Sequence, residues 1–409
     1  MEVNKIYETK ILRYNNEGLG VGIIDNIVTF INNALIDEIV KVRISKIYKN
    51  YATGDLIEII EKSSNRKTLK CPYFYECGGC NIMHIDYEKQ LEFKKEKIAS
   101  IFKKICGIDI KLKEVNSYNN LGYRNKVVFK VKNDKIGFYK PKTNQIVDIR
   151  ECIISDKKIN DCLLNLRTFI KKYNDNKISE IMVRVCDNNV MLSLDKINEK
   201  YKDKFIEEFN YINSIYINDK LVFGMPSLNQ RLNNLVFNIS PKSFFQVNPK
   251  ATENLYNRVL EYANKSDISV DLYSGTGTIT MLLSKKAKKV VGVEVVKEAV
   301  EDAKNNLKLN NIDNVEFICG KVEDKIEKLK NLNVDVLVLD PPRGGSDKKS
   351  LKSILEISPE KIIYISCNPV TLARDINLLK DKYELSDISA FDMFPQTYHV
   401  ECVCLLNRR

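Results

Sequence analysis

The sequence predicts a mixed architecture: a small β domain, an α+β middle and a C-terminal α/β sheet of the doubly wound kind. Three observations carry this. Five short β-rich runs fill residues 6–60, three cysteines fall within ten residues at 71–80, and from residue 235 strands alternate with helices. A chain of 409 residues accommodates two or three domains, and the composition shifts divide it into 1–60, 61–240 and 241–409, the middle part being open to interruption. Hydrophobic residues make up 44% of the chain, enough for real cores. No apolar run is long enough to span a bilayer and the first residues lack the apolar core of a signal peptide, so a cytosolic protein is expected. The net charge of +11 suits a polyanionic partner, nucleic acid first, although a general richness in Lys, Asn and Ile also feeds it. In a reducing compartment the eleven cysteines point to thiol chemistry or metal binding rather than disulfides.

Residues 6–12, 20–24, 27–31, 38–47 and 51–60 read as short strands separated by turns, a pattern of OB-like barrels. Residues 61–67 read as a polar linker. In Cys71-Pro-Tyr-Phe-Tyr-Glu-Cys77-Gly-Gly-Cys80 the glycines form a tight turn that converges sulfurs, suiting a soft metal or an iron–sulfur cluster. The fourth ligand is open among Cys106, Cys152 and Cys162. Zinc is the rival, disfavoured because only one Cys-x-x-Cys hook is present. His84 is either a zinc ligand or incidental. Residues 87–105 form a charged amphipathic helix. Strands follow at 126–131 and 136–139, then a hairpin at 181–185 and 190–194. Tyr123-Arg-Asn-Lys126 sets an aromatic beside two cations, which suits RNA stacking and phosphate contact, or simply a solvated strand edge.

In the C-terminal part, strands at 268–273, 289–294, 334–339 and 362–365 each end on a polar group, and 388–394 with 399–406 make a closing edge hairpin. The turn Asp271-x-x-x-Gly275-x-Gly277, with Glu294 ending the next strand, is a nucleotide-binding arrangement. It lacks the third glycine of the dinucleotide fingerprint and has the form common in S-adenosylmethionine methyltransferases. Asp340-Pro-Pro-Arg343 carries arginine where amine-methylating enzymes carry an aromatic, which disfavours amine methylation. Methylating uracil C5 instead requires a thiolate to add at C6 and a base to remove the C5 proton. Cys367, between a strand end and a helix opened by Asn368 and Pro369, supplies the thiol, and the helix dipole is expected to favour its thiolate. His399 and Glu401, alternating on the adjacent strand, supply the base.

These residues identify a resemblance. Ser243-Phe-Phe-Gln-Val-Asn-Pro249, Asp271-Leu-Tyr-Ser-Gly-Thr-Gly277, Asp340-Pro-Pro-Arg343, Ser366-Cys-Asn-Pro369 and Phe394-Pro-Gln-Thr-Tyr-His-Val-Glu401 together resemble the RNA uracil-5-methyltransferases of the RumA/TrmA type, nearly end to end. The N-terminal run Glu17-Gly-Leu-Gly-Val-Gly22 resembles a TRAM domain. The resemblance implies Cys367 as nucleophile and Glu401 as proton acceptor. It implies S-adenosylmethionine contacts at Gln246, Tyr273, Glu294 and Asp340, beside the glycine turn of Gly275 and Gly277. It implies a [4Fe–4S] cluster on Cys71, Cys77, Cys80 and Cys152, and a helix after the cluster that packs on the catalytic domain. The cluster and barrel match the 23S rRNA branch rather than the tRNA branch. A monomer acting on a flipped-out uridine is expected. A non-catalytic RNA-binding factor on the same fold is the alternative from another class.

Overall fold

The computed structural model describes Met1–Arg409. The N-terminal unit is a six-stranded, barrel-like sheet of β1 (Ile6–Lys10), β2 (Arg13–Tyr14), β3 (Gly20–Ile24), β4 (Ile27–Ile31), β5 (Ile39–Ile47) and β6 (Tyr51–Glu61), ordered β1-β5-β6-β4-β3-β2. It has one strand more than expected, because the two-residue β2 is too short to leave a periodic signature. Ile11, Ile24, Ile31, Val40, Val42 and Ile44 close its small core. The segment that follows is no free tether. Arg66 donates to both carboxylate oxygens of buried Glu38, at 2.6 and 2.8 Å, and to the Asn33 carbonyl at 2.6 Å. Leu35, Ile82, Ile85 and Phe93 then seat the barrel against the next helix.

That helix, α1 (Tyr87–Cys106), is capped by Asp86 and ends on left-handed Gly107. With β7 (Val115–Asn116) it leaves the middle of the chain and joins the C-terminal layer, where Ile98, Ile101, Phe102 and Val115 share a core with Leu372 and Ile376. The middle resumes as a seven-stranded sheet built from β8 (Lys126–Lys132), β9 (Lys135–Tyr139), β10 (Ile146–Asp148), β11 (Glu180–Cys186), β12 (Asn189–Leu194), β13 (Ser214–Ile217) and β14 (Lys220–Gly224). Helices α2 (Lys157–Tyr173) and α3 (Glu199–Glu208) share its core through Phe169 and Phe205. The expected hairpin is present, turning at Asp187 and Asn188, both at positive φ as its tight turn requires. A second hairpin, β15 (Leu228–Leu232) and β16 (Leu235–Ile239), packs into the C-terminal core instead.

The C-terminal layer runs α4 (Pro249–Ala263), β17 (Ser266–Leu272), α5 (Thr278–Leu283), β18 (Ala287–Glu294), α6 (Lys297–Leu309), β19 (Val315–Cys319), α7 (Val322–Lys325), β20 (Val336–Leu339), α8 (Lys348–Ile357), β21 (Lys361–Ser366), α9 (Pro369–Leu379), β22 (Tyr383–Phe391) and β23 (Glu401–Arg408). Its eight-stranded sheet has the order β19-β18-β17-β20-β21-β23-β22-β7. Alternation sends Val336 and Val338 to the core on one face, and Leu337 and Leu339 to the core on the other. The last hairpin does not close the edge as expected. β23 inserts antiparallel beside β21, β22 lies outside it, and β7 takes the edge.

The loop before β23 is held by a buried ion pair. Lys94 and Asp392, both wholly buried, meet at 2.6 Å, and Tyr87 donates to the second Asp392 oxygen at 2.9 Å. Removing one member leaves an uncompensated charge in the interior. Lys94→Met is therefore expected to cost about 3–5 kcal/mol of stability, with most of it returned in Lys94→Met/Asp392→Leu. Denaturant titration followed by circular dichroism measures both.

Candidate active site

In this sheet the polar residues gather where β17, β18, β20 and β21 end. A cavity of about 1410 Å³ opens there, and Gln246, Tyr273, Gly275, Glu294, Asp340, Cys367 and Glu401 all line it. Seven residues far apart in sequence thus reach one space. Glu401 arrives by a different route from the others. Because β23 runs antiparallel, its first residue lies at the same end as the last residues of β21, and the pairing of Ser366 with Cys402 sets Glu401 next to Cys367.

Gly277 lies just off the lining. It sits at φ +78°, and a Cβ there would stand 2.5 Å from the Phe317 ring, so glycine is needed for packing at the start of α5. Gly275 faces open space, and its N–H donates to Glu294 at 2.9 Å while Val296 N–H donates to the other oxygen at 2.8 Å. The acid at the second strand tip is thereby oriented by backbone. Asp271 accepts from Thr280 at 2.6 Å, yet its other oxygen is buried without a partner, as is the Ser274 hydroxyl. Two unmatched polar atoms on this wall fit a polar ligand.

The electrostatics of the cavity differ from the sequence expectation. Burial, and then the neighbouring Glu401, push the Cys367 thiol up to about 11, with Arg343 beside it acting in the opposite direction. The helix dipole does not prevail, and the ligand-free protein carries a thiol. Burial and Asp340 push the Glu401 carboxyl up to about 8, and burial raises Asp340 to about 7. Asp271 also rises to about 7, from burial and from Asp340. Three buried carboxyls therefore share one cavity wall, and of them only Glu401 is relieved by Arg343. A cation bound among them would lower all three.

His399 was expected on a strand sharing a face with Glu401. It lies instead in the loop before β23, outside the cavity lining, edge-on to Phe394 with ring centroids 6.1 Å apart. Burial, and then Arg343 and two lysines, lower it to about 4, so it stays neutral. Tyr123 was weighed as a stacking platform. It is buried, and its hydroxyl donates to the Pro395 carbonyl at 3.1 Å. Tyr256, which sequence reasoning missed, is buried on α4 beside Gln246, Asp340, Asp271 and Glu401. Its only sequence signal was helical spacing, which reads equally as core.

Away from the cavity, Cys71, Cys77, Cys80 and Cys152 are free, partly exposed thiols at the seam of two core clusters. Burial chiefly raises Cys71, Cys77 and Cys80, and each also feels Cys152. Asn160 brackets the Cys152 backbone, accepting from its N–H at 2.8 Å and donating to its carbonyl at 3.2 Å. Cys106 is buried in the C-terminal core, and Cys162 is buried in the core of the central sheet against which Cys77 and Cys152 pack. No three His, Cys, Asp or Glu side chains are drawn into a set that would hold a metal ion. His84 is wholly buried with neither ring nitrogen partnered, packed near the Phe74 ring.

An open α/β sheet with a glycine turn, an acid and a thiol at successive strand tips defines a methyltransferase fold. The comparisons agree. Residues 86–409 match the family described as tRNA (Uracil-5-)-methyltransferase, and residues 1–57 match the TRAM domain. The chain is 39% identical to an uncharacterised RNA methyltransferase of Clostridium tetani, covering 98% of this chain and 96% of that one. It is 36% identical to another from Caldanaerobacter subterraneus subsp. tengcongensis, covering 100% and 99%. Among solved structures it is similar to the Pyrococcus abyssi tRNA (uracil-54, C5)-methyltransferase in complex with S-adenosyl-L-homocysteine. That likeness has a TM-score of 0.81, 28% identity and coverage of 98% and 99%. The chain belongs to the tRNA (uracil-5-)-methyltransferase family and is an RNA (uracil-5-)-methyltransferase.

Proposed function

We propose that this enzyme forms 5-methyluridine in 23S rRNA in the cytosol, with Cys367 as nucleophile and Glu401 as base. The observation that carries the reading is the meeting of Cys367 and Glu401 at the wall of one cavity with the glycine turn. S-adenosylmethionine supplies an electrophilic methyl group on a sulfonium cation. Asp271, Asp340 and Glu401 favour that cation, since its charge offsets theirs, and the unpartnered atoms of Asp271 and Ser274 can accept from it. Gln246, Tyr273, Gly275 and Glu294 line the remaining wall and would hold and orient it.

Cys367 releases its proton to solvent, and its thiolate adds to C6 of a uracil swung out of its stack, making C5 carbanion-like. C5 would then take the methyl group, the methyl–sulfonium bond breaking to leave neutral S-adenosylhomocysteine. Glu401 removes the C5 proton, the C6–S bond breaks, and the pair of electrons returns to sulfur. Arg343, beside the thiol, favours the thiolate form as it enters and leaves.

Cys71, Cys77, Cys80 and Cys152 are the residues we assign to a [4Fe–4S] cluster. Four soft donors of one type suit it, and no catalytic step passes through it. Anaerobically purified protein is expected to contain four irons and four sulfides per chain in this reading, with a visible absorption band that is lost in Cys77→Ser. Zinc in place of iron would sink the assignment.

The tRNA reading has its own support. The Pyrococcus tRNA enzyme aligns over 98% of this chain, so the barrel does not separate the two branches. Trapping decides. A 23S rRNA stem-loop and a tRNA T-arm, each with 5-fluorouridine at the candidate site, are incubated with enzyme and S-adenosylmethionine. A denaturant-stable methylated adduct with the rRNA fragment supports our reading; an adduct with the T-arm alone reassigns the substrate. Binding without any adduct would favour a non-catalytic factor.

A further inference from the structure

Three cations meet without an acid where the central sheet abuts the cavity wall. Along β8 and β11, Lys130 stands opposite Glu180 and pairs with it. At the other end of the same ladder Lys126 stands opposite Arg184, the like-charge arrangement that strand pairs ordinarily avoid. Arg184 is 2% exposed and donates to two backbone carbonyls, Ser240 at 2.9 Å and Ser243 at 2.7 Å. Arg124 folds its Nε back to the Lys126 carbonyl at 3.0 Å. No carboxylate relieves the strand pair. Burial, then Arg184 and Arg124, lower Lys126 to about 8, and burial also lowers Arg184.

The placement is as telling as the charge. Ser240 and Ser243 line the cavity. Asn125, between Arg124 and Lys126, donates its N–H to the carbonyl of Val247 at 2.9 Å, one residue past Gln246. The cations therefore border the segment that forms the cavity mouth.

We propose that Lys126 and Arg124, backed by Arg184, hold a phosphodiester of the RNA beside the target uridine. This rests on the RNA-substrate reading above. A partly desolvated cluster of like charge is destabilising until an anion arrives, and a phosphate offers each cation a charge-assisted hydrogen bond. Gripping the backbone at the cavity mouth would also hold the nucleotide in its extruded position.

The test compares wild type with Lys126→Gln and Lys126→Arg, using the rRNA stem-loop and T-arm fragments whether or not either is trapped. RNA affinity is measured across salt concentrations. Lys126→Gln is expected to bind about tenfold more weakly near physiological salt, with a log–log salt slope shallower by about 0.7–0.9, the loss of one phosphate contact. Lys126→Arg keeps the wild-type slope. The thermal midpoint of RNA-free Lys126→Gln holds or rises, because a repulsion is gone. In wild type a single methylphosphonate near the target weakens binding, and in Lys126→Gln the same replacement costs nothing further. An unchanged slope overturns the proposal. So does a loss of S-adenosylmethionine affinity with the slope intact, which would assign the cations to the carboxylate of that molecule. Adduct formation by wild type is scored separately, so failure here is distinct from failure of the catalytic reading.

Discussion

Replacing Cys367 with alanine is expected to lower 5-methyluridine formation by at least about 10⁴-fold while both ligands still bind. Loss of a covalent nucleophile removes the whole route, as the steep and non-additive effects of such residues show. Cys367 stands just past β21, half-buried, and its side chain is not part of the interior packing. The variant should therefore fold normally, keep its unfolding midpoint, and bind RNA with wild-type affinity. Methyl incorporation from labelled S-adenosylmethionine and the 5-fluorouridine adduct should vanish together. Turnover persisting near the wild-type rate in Cys367→Ala would refute nucleophilic addition at C6.

Replacing Glu401 with glutamine has a different expected result, because its step comes after methyl transfer. Each enzyme molecule should transfer one methyl group and then hold the RNA as a covalent C6 adduct, with ordinary uridine as substrate. Steady-state turnover falls by about 10²–10⁴-fold, the range for losing a positioned base. A mass shift equal to RNA plus methyl, one per protein, checks it; release of product at an undiminished rate would not fit. The pH profile gives a second reading. Burial raises the Glu401 carboxyl to about 8, and only the carboxylate can take a proton. Because Glu401 acts after methyl transfer, its ionisation should appear in kcat, which rises with pH as the carboxylate forms, and this limb should disappear in Glu401→Gln, whereas kcat/KM follows the Cys367 thiol raised to about 11.

The strand tips of the C-terminal sheet were legible because each combines a short β-branched run with an abrupt polar residue. That signal survives without tertiary information, and it found Glu294, Asp340 and Cys367 at their tips. Glu401 was placed beside Cys367 correctly, but for an incomplete reason. Spacing suggested an edge hairpin, whereas β23 inserts beside β21, a choice made by long-range strand pairing. The thiolate expectation failed on magnitudes. A helix terminus contributes a fraction of a unit charge at one point, whereas burial and a nearby carboxyl act on the sulfur together. Tyr123 looked like a surface aromatic because cations flank it, and periodicity cannot say that its ring is covered by the loop before β23. The unpaired state of Lys126 was likewise invisible, since only the β8–β11 register reveals that its partner is Arg184.

The loop from Asp392 to His399 has a consequence for the order in which the enzyme is made. Besides a bond from Asn248, it makes a set of long-range hydrogen bonds with Asn81 and Ile82 in the cysteine segment, Gln90 and Lys94 on α1, and Asn120 and Tyr123 beyond it, and it is this set that matters. The residues of that set were synthesised some 270 residues or more before it, as the separation of Tyr123 from Pro395 illustrates. On the ribosome the parallel strands and the thiol emerge first, and the base follows only when the final strand threads in beside β21. The enzyme therefore cannot close its reaction centre until its last residues meet its first third, and nascent chains arrested before β23 would hold the nucleophile without the means of releasing it.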